Sequence, residues 1–250
     1  MTRQALLRNT SYLFAALGLA VAGTALVVPV EPVRAQVAAA DPGRPAADKA
    51  QDAQRKPAMM VRFARIKRGH RVIEILPGGG YFTRVFSNAV GRFGKVIAVE
   101  PSSSGAMQAL AREPGRSNVA LLSGSFDSIG PAGKADVVWT SRNYHDIKGA
   151  KAPTDAAERL NRAAFAALKP GGYYVVLDHS AAAGSGTRDC DTLHRIDAEA
   201  VKAEVLAAGF VLDGESPLLA NKADTRTVAV FDRSIQGKTD QFVLRFKKPG

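Results

Sequence analysis

The stretch from Val72 to Phe86, "VIEILPGGGYFTRVF", decides how this chain is read. Its first residues are apolar and β-branched and read as a buried strand. Three glycines follow at once. "TRVFSNAV" then reads as a short helix closed by Gly91. Glycines at a strand-to-helix turn serve a tight bend or the close approach of a ligand to backbone without Cβ atoms. The helix behind them presents N–H groups that have no partner within the helix. In an open α/β sheet such a turn lies at the carboxyl ends of the strands, where ligands bind.

Outward from this turn, strands and helices alternate. "KVIAVE", "NVALL", "ADVVWT" and "YYVVLD" read as further strands, and "FVLRF" near the end alternates as a sheet strand. Met107 to Leu110 belong to a helix. Ala157, Leu160, Ala164, Phe165 and Leu168 form a helical stripe that "KPGG" ends. Ala198 to Ala208 make another helix, with Gly209 as its cap. Met59, Met60, Phe63 and Ile66 recur at the spacing of a core-facing helix. The pattern is that of an α/β, Rossmann-like, mostly parallel sheet with helices on both faces.

The ends and the composition set further bounds. Arg3 and Arg8 precede an uncharged apolar run, followed by Pro29, Pro32 and "VRAQ". Residues 1–35 therefore read as an export signal cleaved after Ala35, with an uncleaved membrane anchor as the alternative. The expected location is periplasmic or secreted. Residues 36–56, rich in Ala, Pro, Asp, Lys and Gln, read as a mobile linker passing into a polar helix. That leaves residues 57–250 as the folded domain. The net charge of +11 suits an anionic ligand, but Lys and Arg are scattered and no aromatic-rich basic tract appears. Nucleic acid is not an expected partner, and a membrane is one only through the N-terminal segment. Cys190, the one cysteine, excludes an intrachain disulfide and a cysteine-based zinc site. Asp189 and Asp191 beside it disfavour a thiolate.

Glu100 ends "KVIAVE", twenty residues after Gly80. A carboxylate there can accept hydrogen bonds from both ribose hydroxyls of a bound nucleoside. A dinucleotide site wants a third glycine in G-x-G-x-x-G, and Thr83 stands in its place. "VIEILPGGGY" instead resembles the first motif of class I S-adenosylmethionine-dependent methyltransferases. Glu74 falls on its acidic position and Gly78 and Gly80 on its second and third glycines, while Leu76 replaces the first glycine. The resemblance continues through Glu100, "SGSFDSIG", "ADVVWT" and "LKPGGYYVVLD". A narrower likeness, carried by "PGGGY", "YHDI", "LHRID" and "GKTDQFVLRFKKP", is to a family of bacterial methyltransferases, many with export signals.

The resemblance implies the class I fold, a seven-stranded sheet, and S-adenosylmethionine as cofactor. Glu74, Pro77, Gly78, Gly79, Gly80 and Tyr81 would then border its amino-acid end. Glu100 would hold the ribose, and Phe126 and Asp127 the adenine. The alternatives are an inactive exported nucleoside-binding protein of the same fold and an NAD(P)-dependent oxidoreductase.

The sulfonium of such a donor is already activated, so the protein has mainly to align the acceptor and remove a proton where needed. Candidates lie in "SRNYHDI" and "DHSAAAGSG": His145 as base, with Asp146, Asp178 and His179 to orient it or bind acceptor. "LHRID" adds His194. No H-x-x-x-H or H-E-x-x-H pairing appears, so no metal is expected. The segment from Ala183 reads as a flap over the site. Arg226, Arg233, Lys238 and Asp240, in a long late connection, are candidates to bind an anionic acceptor. The acceptor itself is not legible.

Overall fold

The structure, a computed structural model, describes residues 41–102 and 104–250. The export segment and the start of the linker lie outside the described residues. Three short helices open the described residues: α1 (Ala46–Lys49), α2 (Asp52–Arg55) and α3 (Pro57–Phe63). Then come β1 (Arg71–Ile75), α4 (Tyr81–Val90), β2 (Lys95–Glu100), α5 (Gly105–Ala111), β3 (Val119–Ser123) and β4 (Ala135–Ser141). A 3-10 turn over Asp146–Lys148 precedes α6 (Ala156–Ala167), β5 (Leu168–His179), α7 (Ala198–Ala207), β6 (Val211–Ser216) and β7 (Gln241–Lys247).

The seven strands form one sheet in the order β3-β2-β1-β4-β5-β7-β6. β1 pairs with both β2 and β4 in parallel, and β7 runs antiparallel to β5 and β6. The strand order reverses beside β1, so the carboxyl ends of β1, β2 and β4 open a crevice there. Both sheet faces are covered, which is why β1 and β4 are nearly continuous in apolar residues. Ile73, Val138, Leu160 and Val201 fill one layer. Val72, Phe82, Phe86 and Trp139 fill the other. The Phe82 and Phe86 rings, one helical turn apart on α4, meet Trp139 edge-on at 4.8 and 5.2 Å.

The linker reading needs correction. Residues 41–56 are built into the domain by buried ion pairs. Arg44, 2% exposed, grips Asp52 with two hydrogen bonds of 3.0 and 2.7 Å. Asp48 meets Arg84 at 3.3 Å, and Asp41 pairs with Arg116. A charged residue held in a buried pair looks, in sequence, like any solvated one.

Candidate active site

The glycine turn has two halves. Gly80 is buried at φ +78 and caps α4, and a Cβ there would collide with Leu110 Cδ1. Gly78 and Gly79 are exposed, and a Cβ on either would meet nothing within 4 Å. So Gly80 serves the turn, while Gly78 and Gly79 leave an open cradle. Arg84 stiffens it: its Nη1 donates to the Gly79 carbonyl at 2.9 Å while its Nη2 holds Glu113 at 2.8 Å. Leu76, in place of the motif's first glycine, keeps the left-handed backbone that glycine favours, at φ +50. Asn143 Nδ2 donates to its carbonyl at 2.8 Å, and such a strained turn persists only when neighbours fix it.

Glu74 lies beneath the loop, 3% exposed, and accepts the Thr83 hydroxyl proton at 2.6 Å. Burial pushes its pKa up to about 7, against the Thr83 hydrogen bond and the Arg55 charge. The residue that spoils the dinucleotide motif is thus the partner of the motif's acid. Tyr81 does not face the cradle. It is 4% exposed, its hydroxyl donates to Asp52 at 2.7 Å, and Arg55 lies 4.0 Å over its ring.

Glu100 stands at the end of β2, half-buried, and accepts from Ser104 N at 3.0 Å. With Ala98, Met107, Leu121, Leu122 and Ser123 it lines a small recess. Phe126 packs partly against the core, whereas exposed Asp127 accepts from the Ser125 hydroxyl at 2.7 Å. Its other oxygen lies 3.5 Å from Arg159 Nε.

Two functional candidates were invisible in the sequence. Arg55 and Arg142 converge from the N-terminal segment and the loop after β4. Burial, and then the Arg142 charge, bring Arg55 down to about 10. Its Nε is buried with no hydrogen-bond partner. Arg142, left-handed at φ +62, is also lowered, mainly by burial. No carboxylate pairs with either among the described residues. Arg142 Nε donates to Gln241 Oε1 at 3.1 Å, and two neighbouring guanidiniums with no carboxylate partner favour an anion.

The acceptor-side candidates do converge. His145 Nδ1 lies 2.8 Å from Asp178 Oδ1 and its Nε2 lies 3.3 Å from Asp146 Oδ1. Asp178, fully buried, also accepts the backbone N–H groups of His145 and His179 at 2.9 and 2.7 Å. Burial pulls the His145 pKa down, but the hydrogen bonds and charges of Asp146 and Asp178 prevail and push it up to about 10. In this state the ring donates, the opposite of what a general base needs. His179 is buried against Thr239 Oγ1 at 2.7 Å, and burial takes its pKa down to about 3. His194 approaches from "LHRID", its ring 5.4 Å from that of His145.

The segment after Ala183 is tied down: Gly184 N donates to Asp197 at 2.7 Å, and Asp191 accepts from Ala150 N. Arg226 and Asp240 pair with each other at 2.9 Å, so neither offers itself to an acceptor. Burial and the nearby Asp178 charge push the Cys190 thiol up to about 12, which removes it as a nucleophile.

Comparison with known proteins bears on the nucleoside-binding readings. Residues 40–125, from the N-terminal helices through β3, match the profile of the family "Protein-L-isoaspartate(D-aspartate) O-methyltransferase". The sheet order matches that of solved methyltransferases. The chain has the class I methyltransferase fold.

Among solved structures it resembles a SAM-dependent methyltransferase from Aquifex aeolicus, at 16% identity and a TM-score of 0.56, over 76% of this chain and 87% of that one. An S-adenosylmethionine-dependent methyltransferase from Mesorhizobium loti matches at 16% identity and 0.54, over 78% and 98%. An arsenic(III) S-adenosylmethionine methyltransferase from Chlamydomonas reinhardtii matches at 17% and 0.56, over 87% and 73%. At such identity these likenesses carry the fold and not the acceptor. No curated protein matches the chain in sequence.

Proposed function

We propose that the chain is an S-adenosylmethionine-dependent methyltransferase, a reading the family match over residues 40–125 supports, and that it binds its donor across the β1–β2 ends and delivers the methyl group to an acceptor docked at the β4–β5 ends. The open cradle at Gly78 and Gly79, in front of Glu100, supports this reading most directly. Backbone there can approach the methionine half, and N–H groups of the first turn of α4 face an acidic ligand end favourably. The α-carboxylate supplies the anion that Arg55 and Arg142 lack, and each charge-assisted hydrogen bond contributes about 1.5–3 kcal/mol. Glu100 exchanges its Ser104 contact for the ribose hydroxyls. His145, Asp146, Asp178 and His179 form the wall against which the acceptor lies.

Thermal shift with S-adenosylmethionine, S-adenosylhomocysteine and NAD tests the donor site, since a ligand bound only by the native state raises Tm. Both adenosyl ligands should stabilise the protein; stabilisation by NAD alone would overturn the reading. Methylthioadenosine, which lacks the amino-acid end, tests the arginines. Arg142→Ala should weaken S-adenosylhomocysteine and leave methylthioadenosine unchanged. Equal loss for both would remove Arg142 from the carboxylate site.

The reading extends to location. Arg3, Arg8, the apolar run and Ala35 support export and cleavage. No helix among the described residues is long and apolar enough to cross a membrane. N-terminal sequencing of the extracytoplasmic protein should begin at Gln36. Retention of Met1 in the membrane fraction would favour the anchor instead.

A further inference from the structure

Three donor atoms from two separate loops meet beside the acceptor wall. His145 Nε2, Asp146 Oδ1 and His194 Nδ1 all lie within 4.8 Å of one another. Asp146 Oδ1 is 3.3 Å from the first and 3.7 Å from the other. A tetrahedral ion with bonds near 2.0–2.1 Å needs donors roughly 3.3–3.4 Å apart. One separation is already of that length, a second is within about 0.4 Å of it, and the third, no more than 4.8 Å, must close further. Asp146 and His194 can supply that movement, because their side chains are 52% and 34% exposed.

The geometry behind these donors is what a metal ligand requires. The second ring nitrogen of His145 is engaged by Asp178, which two backbone N–H groups hold in place. A histidine that donates Nδ1–H to a carboxylate is fixed in orientation and its Nε2 is made more basic; an ion bound there takes the place of the proton that Nε2 shares with Asp146. On the other side, His194 keeps a left-handed backbone at φ +53. Its neighbours pin it there: Leu193 O accepts from Val230 N at 3.1 Å, and Arg195 is buried against Asp224 at 2.8 Å. The Phe231 ring closes on the imidazole edge-on at 4.9 Å.

We infer that His145, Asp146 and His194 bind one divalent transition-metal ion, with Asp178 as the positioning residue. Two imidazoles and a carboxylate favour zinc and its neighbours over magnesium or calcium, which prefer all-oxygen sites. Three protein ligands leave one position open, the arrangement of reactive rather than structural zinc sites. Two carboxylates with two neutral imidazoles also balance a 2+ ion in charge. If the proposed methyl transfer holds, that position suits an acceptor hydroxyl or carboxylate oxygen, whose proton the ion would help to release. The binding of metal does not depend on that use.

The test is equilibrium dialysis of the full chain against Zn²⁺ after chelator treatment, with zinc counted by mass spectrometry and Co²⁺ as a visible-absorption probe. The wild type should hold one equivalent and give the intense cobalt bands of a four-coordinate site. Asp146→Asn and His194→Ala, both at exposed side chains, should each lower zinc affinity at least tenfold and abolish those bands. His70→Ala, away from the cluster, should change neither. Zinc binding that is absent, or equal in wild type and both variants, would overturn the site. S-adenosylhomocysteine affinity, measured on the same samples, separates this outcome from failure of the donor reading.

Discussion

Gly79→Ala separates the two uses of the glycine turn. Gly79 has no left-handed backbone, and an added Cβ would meet nothing within 4 Å in the free protein. The folded state should therefore be as stable as wild type, or gain up to about 1 kcal/mol because alanine narrows the unfolded ensemble. A bound homocysteine moiety would meet the new methyl. Overpacking of that kind costs about 1–3 kcal/mol, which is roughly a five- to hundredfold loss of affinity. Gly80→Ala is the counterpart. Left-handed strain of roughly 1–2 kcal/mol and the collision with Leu110 at about 1–3 kcal/mol should lower stability by about 2–5 kcal/mol together. Urea denaturation gives the stability arm, and calorimetric titration with S-adenosylhomocysteine the binding arm. Wild-type affinity in a folded Gly79→Ala protein would refute the reasoning, because the glycines would then serve the bend alone.

Glu100→Ala should weaken S-adenosylhomocysteine by roughly ten- to a hundredfold, the loss of one charge-assisted hydrogen bond or more; unchanged calorimetric affinity would remove Glu100 from the ribose site. Glu74 binds a proton more tightly folded than unfolded, so its contribution is full below about pH 4.5 and is lost as pH rises toward 7. Glu74→Gln should abolish that loss, on the order of 3 kcal/mol, and denaturation of both proteins at pH 5 and pH 8 reads it. Arg195, fully buried on Asp224, should cost about 3–5 kcal/mol when truncated to alanine, because a buried carboxylate is left unpaired. A change in urea midpoint corresponding to under about 1 kcal/mol would contradict that role.

The strands next to the crevice were legible because they are buried on both faces. "KVIAVE" is β2 residue for residue. β6 was not, since Val211 and Leu212 are exposed at a sheet edge and Gly214 interrupts the run. β5 begins at Leu168, earlier than "YYVVLD" indicates, because Leu168 already pairs with Ala135 and "KPGG" is passed over as an irregularity before Tyr173 pairs with Val137. α4 starts two residues before "TRVFSNAV", since left-handed Gly80 caps it directly. In the proposed site, Gly78, Gly79, Glu74 and Glu100 come from motif spacing. Arg55 and Arg142 were not, because their burial is set by tertiary packing and not by local pattern. The histidines were expected at one sheet edge, but loose spacing in sequence hid the nearness of His194 to Asp146.

A crystal structure with S-adenosylhomocysteine bound examines the donor site most directly. The homocysteine half should lie on Gly78 and Gly79, its carboxylate between Arg55 and Arg142, and both ribose hydroxyls on Glu100. A ligand seated elsewhere, with protein atoms filling the space between Gly78 and Glu100, would contradict it.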